Sequence, residues 1–321
     1  MSSRRRALLI LQVAFIAAAV VFAGMYIAGQ WGDARGTLAS VRPRPARLAA
    51  ATALVLATYA LLIQLWRAVL VRWGATLGFV AAARIWSVSN LGRFVPGRVA
   101  QIGAMAYMAR ARGVSAVAAT GSALLNTAIN IAAGMLVALA AGGRLLEHLR
   151  PGASQVALML VGVAVVGLVA LPWVLPWAIT TAARLLRRDI AEVPYMPWSA
   201  VWLTAAGNIV AWLLYGFAFQ LFTAGVLGTA AGALPAYIAV YTGSYIIGYL
   251  MIFAPGGLVF REGALIAGMV ALGLATTPEA TVVAVTSRLW LTVLEVVPGL
   301  LFLAYGAVRR NSTFTPGDAP H

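Results

Sequence analysis

Apolar residues fall into six long blocks along the chain, each longer than the ~18 residues that a bilayer crossing requires. The blocks are Ala7–Ala28, Leu48–Val71, Ser115–Ala141, Gln155–Ile179, Ser199–Leu227 and Glu279–Tyr305. Each predicts a spanning helix. Two intervals break the pattern. Between the second and third blocks, shorter apolar stretches at about Ala75–Asn90 and Val99–Ala111 flank Phe94-Val95-Pro96-Gly97. Between the fifth and sixth, stretches at Leu234–Phe253 and Leu258–Leu272 meet at Phe253-Ala254-Pro255-Gly256. Pro removes a backbone donor and Gly weakens a helix, so each Pro-Gly pair predicts a break. A glycine then opens the following long helix in both halves, at Gly113-Val114-Ser115 and Gly273-Leu274-Ala275.

Irregular backbone at membrane depth is tolerated only where protein or a water-filled cavity covers it. Each broken pair is therefore a re-entrant hairpin or two short spans. Either option returns the chain to the side it left.

Composition supports the membrane reading. The chain is 62% hydrophobic and 10% charged, against about 25% charged in an ordinary soluble domain. There is no cysteine, which excludes disulfides and zinc–thiolate sites. The two histidines, His148 and His321, fall in a predicted loop and at the last position. The residues thus offer no metal site, cofactor site or catalytic triad, and the expectation is a protein that is not an enzyme. All 23 basic residues are Arg, which a GC-rich coding sequence explains.

The net charge of +15 raises nucleic acid as a partner. The arginines cluster beside apolar blocks, however, which points to anionic lipid headgroups instead. Ser2-Ser3-Arg4-Arg5-Arg6 before Ala7–Ala28 imitates a signal peptide. The apolar run is too long for one and predicts a retained span.

Orientation follows from the arginines. With the N-terminus inside, the inner side holds Arg4, Arg5, Arg6, Arg72, Arg110, Arg112, Arg184, Arg187, Arg188, Arg309 and Arg310. The outer side holds Arg35, Arg42, Arg44, Arg47, Arg144 and Arg150. The first Pro-Gly pair then enters from the cytoplasm and the second from outside. The predicted fold is an all-α polytopic membrane protein with six full spans and two Pro-Gly-broken hairpins. These form an inverted repeat, N-in and C-in, within one transmembrane domain over residues 1–311. Repeat 1 covers about 48–141 and repeat 2 about 199–306, and a short tail follows at 312–321. Broken helices at corresponding positions of two repeats mark the binding site of many secondary transporters.

The ionisable residues at predicted depth are few, and such groups usually mark a pathway or a buried pair. Arg261 and Glu262 follow the second break, while Arg288 and Glu295 share one face of the last helix two turns apart. The expected pairings are Glu262 with Arg288 and Arg261 with Glu295. These pairs either lock the second hairpin to the last helix or act on a substrate. Arg93 and Arg98 bracket the first break. At a deep tip they are bidentate phosphate ligands, helped by free backbone N–H groups around Pro96-Gly97. At a shallow tip they are interface arginines. Gln101 stands one turn from Arg98. Asn126 and Asn130 share a helix face and suit interhelical hydrogen bonding. Trp66, Trp73, Trp86, Trp173, Trp177, Trp198 and Trp202 sit near predicted span ends and read as an interfacial belt.

Three stretches resemble the flippase-like membrane family that includes the transmembrane domain of lysylphosphatidylglycerol synthases. They are Asn90-Leu91-Gly92-Arg93-Phe94-Val95-Pro96-Gly97-Arg98, then Ala254-Pro255-Gly256-Gly257-Leu258-Val259-Phe260-Arg261-Glu262, then Ser287-Arg288-Leu289 with Glu295 and Pro298-Gly299. The likeness covers Asn90 to Tyr305. Phe260 stands where the family commonly has Gly, and Asn126 and Asn130 stand where it often has an acid. No synthase domain follows the last predicted span in this sequence, so the resemblance is to the stand-alone relatives.

The resemblance implies a multi-pass protein of the bacterial plasma membrane that moves a lipid between leaflets. An anionic phospholipid or a polyprenyl-phosphate-linked glycolipid is the expected cargo. Its headgroup would meet Arg93, Pro96, Gly97, Arg98, Gln101, Pro255, Gly256, Gly257, Arg261, Glu262, Arg288 and Glu295. Two other readings fit the same residues. One is a secondary transporter for a small solute or ion, and the other is a non-transporting scaffold for envelope-synthesis enzymes.

Overall fold

A computed structural model describes residues 42–94, 99–149, 152–185, 198–251 and 259–312. Among these residues the chain forms nine α-helices and no strand. In chain order they are α1 (Pro45–Arg72), α2 (Phe79–Asn90), α3 (Val99–Arg110), α4 (Ala116–Leu149), α5 (Ala153–Leu185), α6 (Trp198–Leu227), α7 (Leu234–Leu250), α8 (Phe260–Ala271) and α9 (Thr277–Ser312). A 3₁₀ turn, Leu91–Phe94, extends α2. Five of the helices, α1, α4, α5, α6 and α9, are long and apolar enough to cross a membrane. The expected span Ala7–Ala28 and both Pro-Gly corners lie outside the described residues.

The helix ends follow local chemistry. Pro45 opens α1, where its missing N–H costs nothing. Arg72 stands in the last turn of α1, beside the carbonyl-rich end of the helix. Before α4, Gly113 takes a left-handed φ of 81° and Ser115 Oγ accepts from the Ala118 N–H at 3.1 Å. The corresponding corner before α9 uses Gly273, with φ 64°. There Glu279 accepts from both the N–H and the hydroxyl of Thr276. α2 starts later than expected. Residues 75–78 are not helical, and Leu77 turns its carbonyl to Arg67 Nε at 2.7 Å.

The two sets of short helices pack in a reciprocal pattern. α1 lies along α6, and this is the most extensive helix pair. α4 packs on α7, and α9 packs on α2. Within each set, α2 meets α3 and α7 meets α8. The approach of α9 to α2 is close at Gly299, where an added Cβ would stand 2.9 Å from the Ser87 carbonyl oxygen. Pro298 precedes it inside the helix. This motif therefore serves a helix crossing.

The main core gathers Val55, Trp212, Phe219, Phe222, Tyr237, Tyr241, Leu265, Met269 and Val283. A second cluster joins Trp66, Leu70, Ile85, Met105 and Ala109. Trp66 and Trp86 depart from the expected interfacial belt. Trp66 is fully buried and donates Nε1–H to Ser122 Oγ at 3.0 Å, while Trp86 packs against both clusters. Trp173, Trp177 and Trp202 are exposed, as a belt requires. The outer face of α5 presents Leu158 and Met159, each 72% exposed. Such a surface suits hydrocarbon rather than water.

Candidate functional site

A cavity of about 120 Å³ lies among α1, α2, α3, α4, α6, α7 and α9. Its polar lining comes from both sets of helices. Asn90, Gln101, Asn126, Thr127 and Asn130 face it from α2, α3 and α4, while Tyr241, Tyr245, Tyr249 and Glu295 face it from α7 and α9. Tyr59 of α1 and Trp212 and Tyr215 of α6 complete the wall. A smaller hollow continues past Gln101, Asn126, Thr127 and Tyr249 toward Trp66 and Met105.

The depth of this cavity follows from the helices that build it. Tyr59 stands at the middle of α1, and Glu295 at the middle of α9. Asn130 is at the centre of the apolar window Val117–Gly143, and Trp212 at the centre of Trp198–Leu227. Four helices long and apolar enough to cross thus contribute residues at or within about a turn of their centres. Polar groups at that level are expensive, which marks them as functional or mutually satisfied.

Some are satisfied. Gln101 Nε2 donates to Asn90 Oδ1 at 2.6 Å, tying α3 to α2. Asn130 Nδ2 donates to the buried Asn208 Oδ1 at 2.8 Å, and the Asn130 carbonyl accepts from Trp212 Nε1–H at 2.9 Å. Asn130 therefore has the interhelical role expected of it. Asn126 Oδ1 is buried and has no hydrogen-bond partner among the described residues.

The aromatic wall is a connected set. Tyr215, Trp212, Tyr245 and Tyr241 form a closed circuit of ring contacts, with centroids 5.9, 5.3, 6.1 and 6.0 Å apart in turn. Tyr59 joins the circuit at Tyr215 and continues it to Trp86. Behind it, Arg261 places its guanidinium carbon 5.0 Å from the Tyr245 ring centre and 5.7 Å from that of Tyr241. This is cation–π geometry. Arg261 is 5% exposed, and its Nη2 has no hydrogen-bond partner among the described residues.

Glu262 does two jobs at the start of α8. Its Oε2 accepts from the Val259 N–H at 2.9 Å, and its Oε1 lies 3.7 Å from Arg288 Nη1. The first contact caps a helix whose preceding residue, Val259, has the left-handed φ of 75°. A β-branched residue there is strained. The second contact ties α8 to α9.

The expected pairing of Glu262 with Arg288 is thus present. The expected Arg261–Glu295 pairing is absent among the described residues: Arg261 instead lies over Tyr241 and Tyr245, which border the cavity that Glu295 faces. Gln101 and Glu295 line that cavity, whereas Arg261, Glu262 and Arg288 stand outside its lining. Arg93 belongs to the 3₁₀ turn after α2. Pro96, Gly97, Arg98, Pro255, Gly256 and Gly257 lie outside the described residues.

The pattern of charged and amide residues along the sequence does not point to the tyrosines. A signal existed: Tyr237, Tyr241, Tyr245 and Tyr249 recur every four residues and so share one face of α7.

The fold and the exposed apolar surface define a multi-pass helical membrane protein. No protein-family model matches the chain, and no curated protein is similar to it. The flippase-like resemblance accordingly rests on its three motifs.

Proposed function

We propose that the protein is a lipid translocase of the bacterial plasma membrane. It carries the headgroup of a phosphate-bearing lipid, a phospholipid or a polyprenyl-phosphate-linked glycolipid, past the bilayer midplane. The observation that carries this reading is the midplane cavity, whose polar lining comes from α2, α3 and α4 on one side and α7 and α9 on the other. Sites at the meeting of two repeats are where alternating access operates. The reciprocal packing of α4 on α7 and α9 on α2 supports an inverted repeat with two re-entrant hairpins. α2, α3 and α8 have 12 residues each and α7 has 17, all short of the ~20 needed to cross. Arg261, whose guanidinium lies over Tyr241 and Tyr245 of the cavity wall, supplies a buried positive charge behind the rings that a phosphate headgroup would pass.

Vesicles containing the purified protein and a fluorescent phospholipid test the proposal. Exchange between leaflets should exceed that of empty vesicles and fall in Arg261→Met and Glu295→Gln. Equal rates with and without protein, across both cargo classes, refute it. The chain has no cysteine, so single cysteines at Val95 and Ala254 report topology cleanly. They should label from opposite sides of the membrane, and labelling from one side rules out the inverted arrangement.

A secondary transporter for a small solute is the second reading, favoured by the small cavity of about 120 Å³. Uptake without lipid exchange would select it.

A further inference from the structure

We infer that the midplane cavity binds an uncharged, hydroxyl-rich group, a single sugar or polyol unit. The described lining includes no arginine. Its acid, Glu295, is already engaged within the protein, as are Tyr215, Tyr241, Tyr245 and Tyr249. Recognition therefore falls to the amides and the hydroxyl that α2, α3 and α4 contribute.

These groups have unused capacity. The bond from Gln101 Nε2 to Asn90 Oδ1 takes one atom of each amide. It leaves the Gln101 Oε1 acceptor and the Asn90 Nδ2 donor for another partner. Asn126 makes no hydrogen bond among the described residues, and its Oδ1 is a buried acceptor without a donor. The Thr127 hydroxyl is likewise unbonded among them. Other threonines of this protein behave differently. Thr58, Thr204, Thr223 and Thr292 each donate to the carbonyl four residues back in their own helices. An unmatched amide and hydroxyl at the bilayer midplane are costly. Asn126 and Thr127 line both the cavity and the hollow that continues it, so their partner comes from what fills that space.

The mixture of donors and acceptors identifies the class. A phosphate only accepts, and would set its oxygens against Gln101 Oε1 and Asn126 Oδ1. An ammonium only donates, and would leave Asn90 Nδ2 unmatched. A hydroxyl does both. Separate waters meet these groups only by being immobilised one at a time. One molecule with several hydroxyls is immobilised once. The cavity is about 120 Å³, so the unit is single rather than a chain of sugars.

Such a unit arrives as a free solute or as part of a lipid headgroup. Only the lipid source rests on the translocase reading; the binding chemistry does not. In the lipid case the hydroxylated part of the headgroup enters the cavity, and any phosphate stays outside the described lining.

The test uses the full chain in an amine-oxide detergent, which carries no sugar or polyol. Glucose, galactose, mannose, myo-inositol and glycerol are titrated, with binding read by calorimetry and by thermal stabilisation. At least one should bind saturably, and neither inorganic phosphate nor tetramethylammonium should compete with it. Asn126→Leu and Thr127→Val should each weaken that binding about fivefold, whereas Thr127→Ser, which keeps the hydroxyl, should stay within about twofold of wild type. Neither Asn126→Leu nor Thr127→Val breaks a hydrogen bond within the described protein, so the unliganded variants should unfold no more easily than wild type. Trp177→Ala, on the exposed face of α5, should bind normally.

No saturable binding of any of the five, competition by phosphate or tetramethylammonium, or undiminished binding in Asn126→Leu/Thr127→Val overturns the inference. So does a loss of unliganded stability that matches the loss of binding. Exchange of a fluorescent glucosyl diacylglycerol between vesicle leaflets, competed by the bound sugar, assigns the lipid source, and uptake of the labelled sugar assigns the solute. Binding with neither movement leaves the site in place and removes the translocase reading. Lipid exchange without sugar binding does the reverse.

Discussion

Glu262 provides a quantitative test of how the second set of short helices is held. Its carboxylate caps α8 through the Val259 N–H at 2.9 Å and pairs with Arg288 at 3.7 Å. Losing a helix cap costs about 1 kcal/mol. The two side chains of the ion pair are 17–18% exposed. Removing one partner should therefore cost about 2 kcal/mol, between the near-zero value of surface pairs and the 3–5 kcal/mol of fully buried ones. Glu262→Ala should then lose about 3 kcal/mol, and Glu262→Gln, which keeps an acceptor for Val259, about 2 kcal/mol.

Arg288→Met removes the same pair from the other side. The double variant Glu262→Gln/Arg288→Met should fall well short of the sum of its singles, with a coupling energy of at least about 1 kcal/mol. Reversible unfolding in mixed micelles by increasing fractions of denaturing detergent measures all four proteins. Strict additivity would show that the two residues do not interact. Equal destabilisation by Ala and Gln would remove the capping role.

Two further outcomes follow from packing. Gly299→Val should destabilise by about 1–3 kcal/mol in the same unfolding assay, because its Cβ meets the Ser87 carbonyl at 2.9 Å and forces α9 away from α2. Gly143→Ala, in α4 with nothing within 4 Å of the added carbon, should be neutral or stabilise by up to about 1 kcal/mol; a similar loss at both positions would refute the steric account. Asn208→Leu should cost about 1–2 kcal/mol, since Asn208 is fully buried and accepts from Asn130. Asn130→Leu should not add to it fully, and full additivity would disprove that contact.

Much of the element order was legible along the chain. Residues at helix starts and corners act within a few positions of themselves: Pro45 at the start of α1 and Gly113 and Gly273 at two corners through their own backbone, and Ser115 before α4 through its hydroxyl. The boundaries of α6, α7 and α9 accordingly fall within two residues of the expected starts. The late start of α2 has a different cause. Leu77 is buried, and its carbonyl is held by Arg67 ten positions earlier, a contact no local rule contains.

The site itself was only half legible. Glu262, Arg288, Gln101 and Glu295 stand out because a charged or amide side chain in an apolar block is conspicuous whatever it touches. The tyrosines and Trp212 do not stand out, since an aromatic ring suits lipid, interface and core alike. Trp66 makes the point: its place near a helix end suggested the membrane surface, and its contact with Ser122 puts it in the core.

In water, a helix shows its inner face by the polarity of its outer one. A helix in hydrocarbon is apolar all round, so its sequence states that it crosses but not which side faces inward. The chain alone thus decides membrane residence, helix ends and the rare buried charges. Only the packing of α1 on α6, α7 on α4 and α9 on α2 brings Tyr59, Tyr215, Tyr245 and Glu295 around one cavity, because that meeting depends on contacts between residues far apart in the chain.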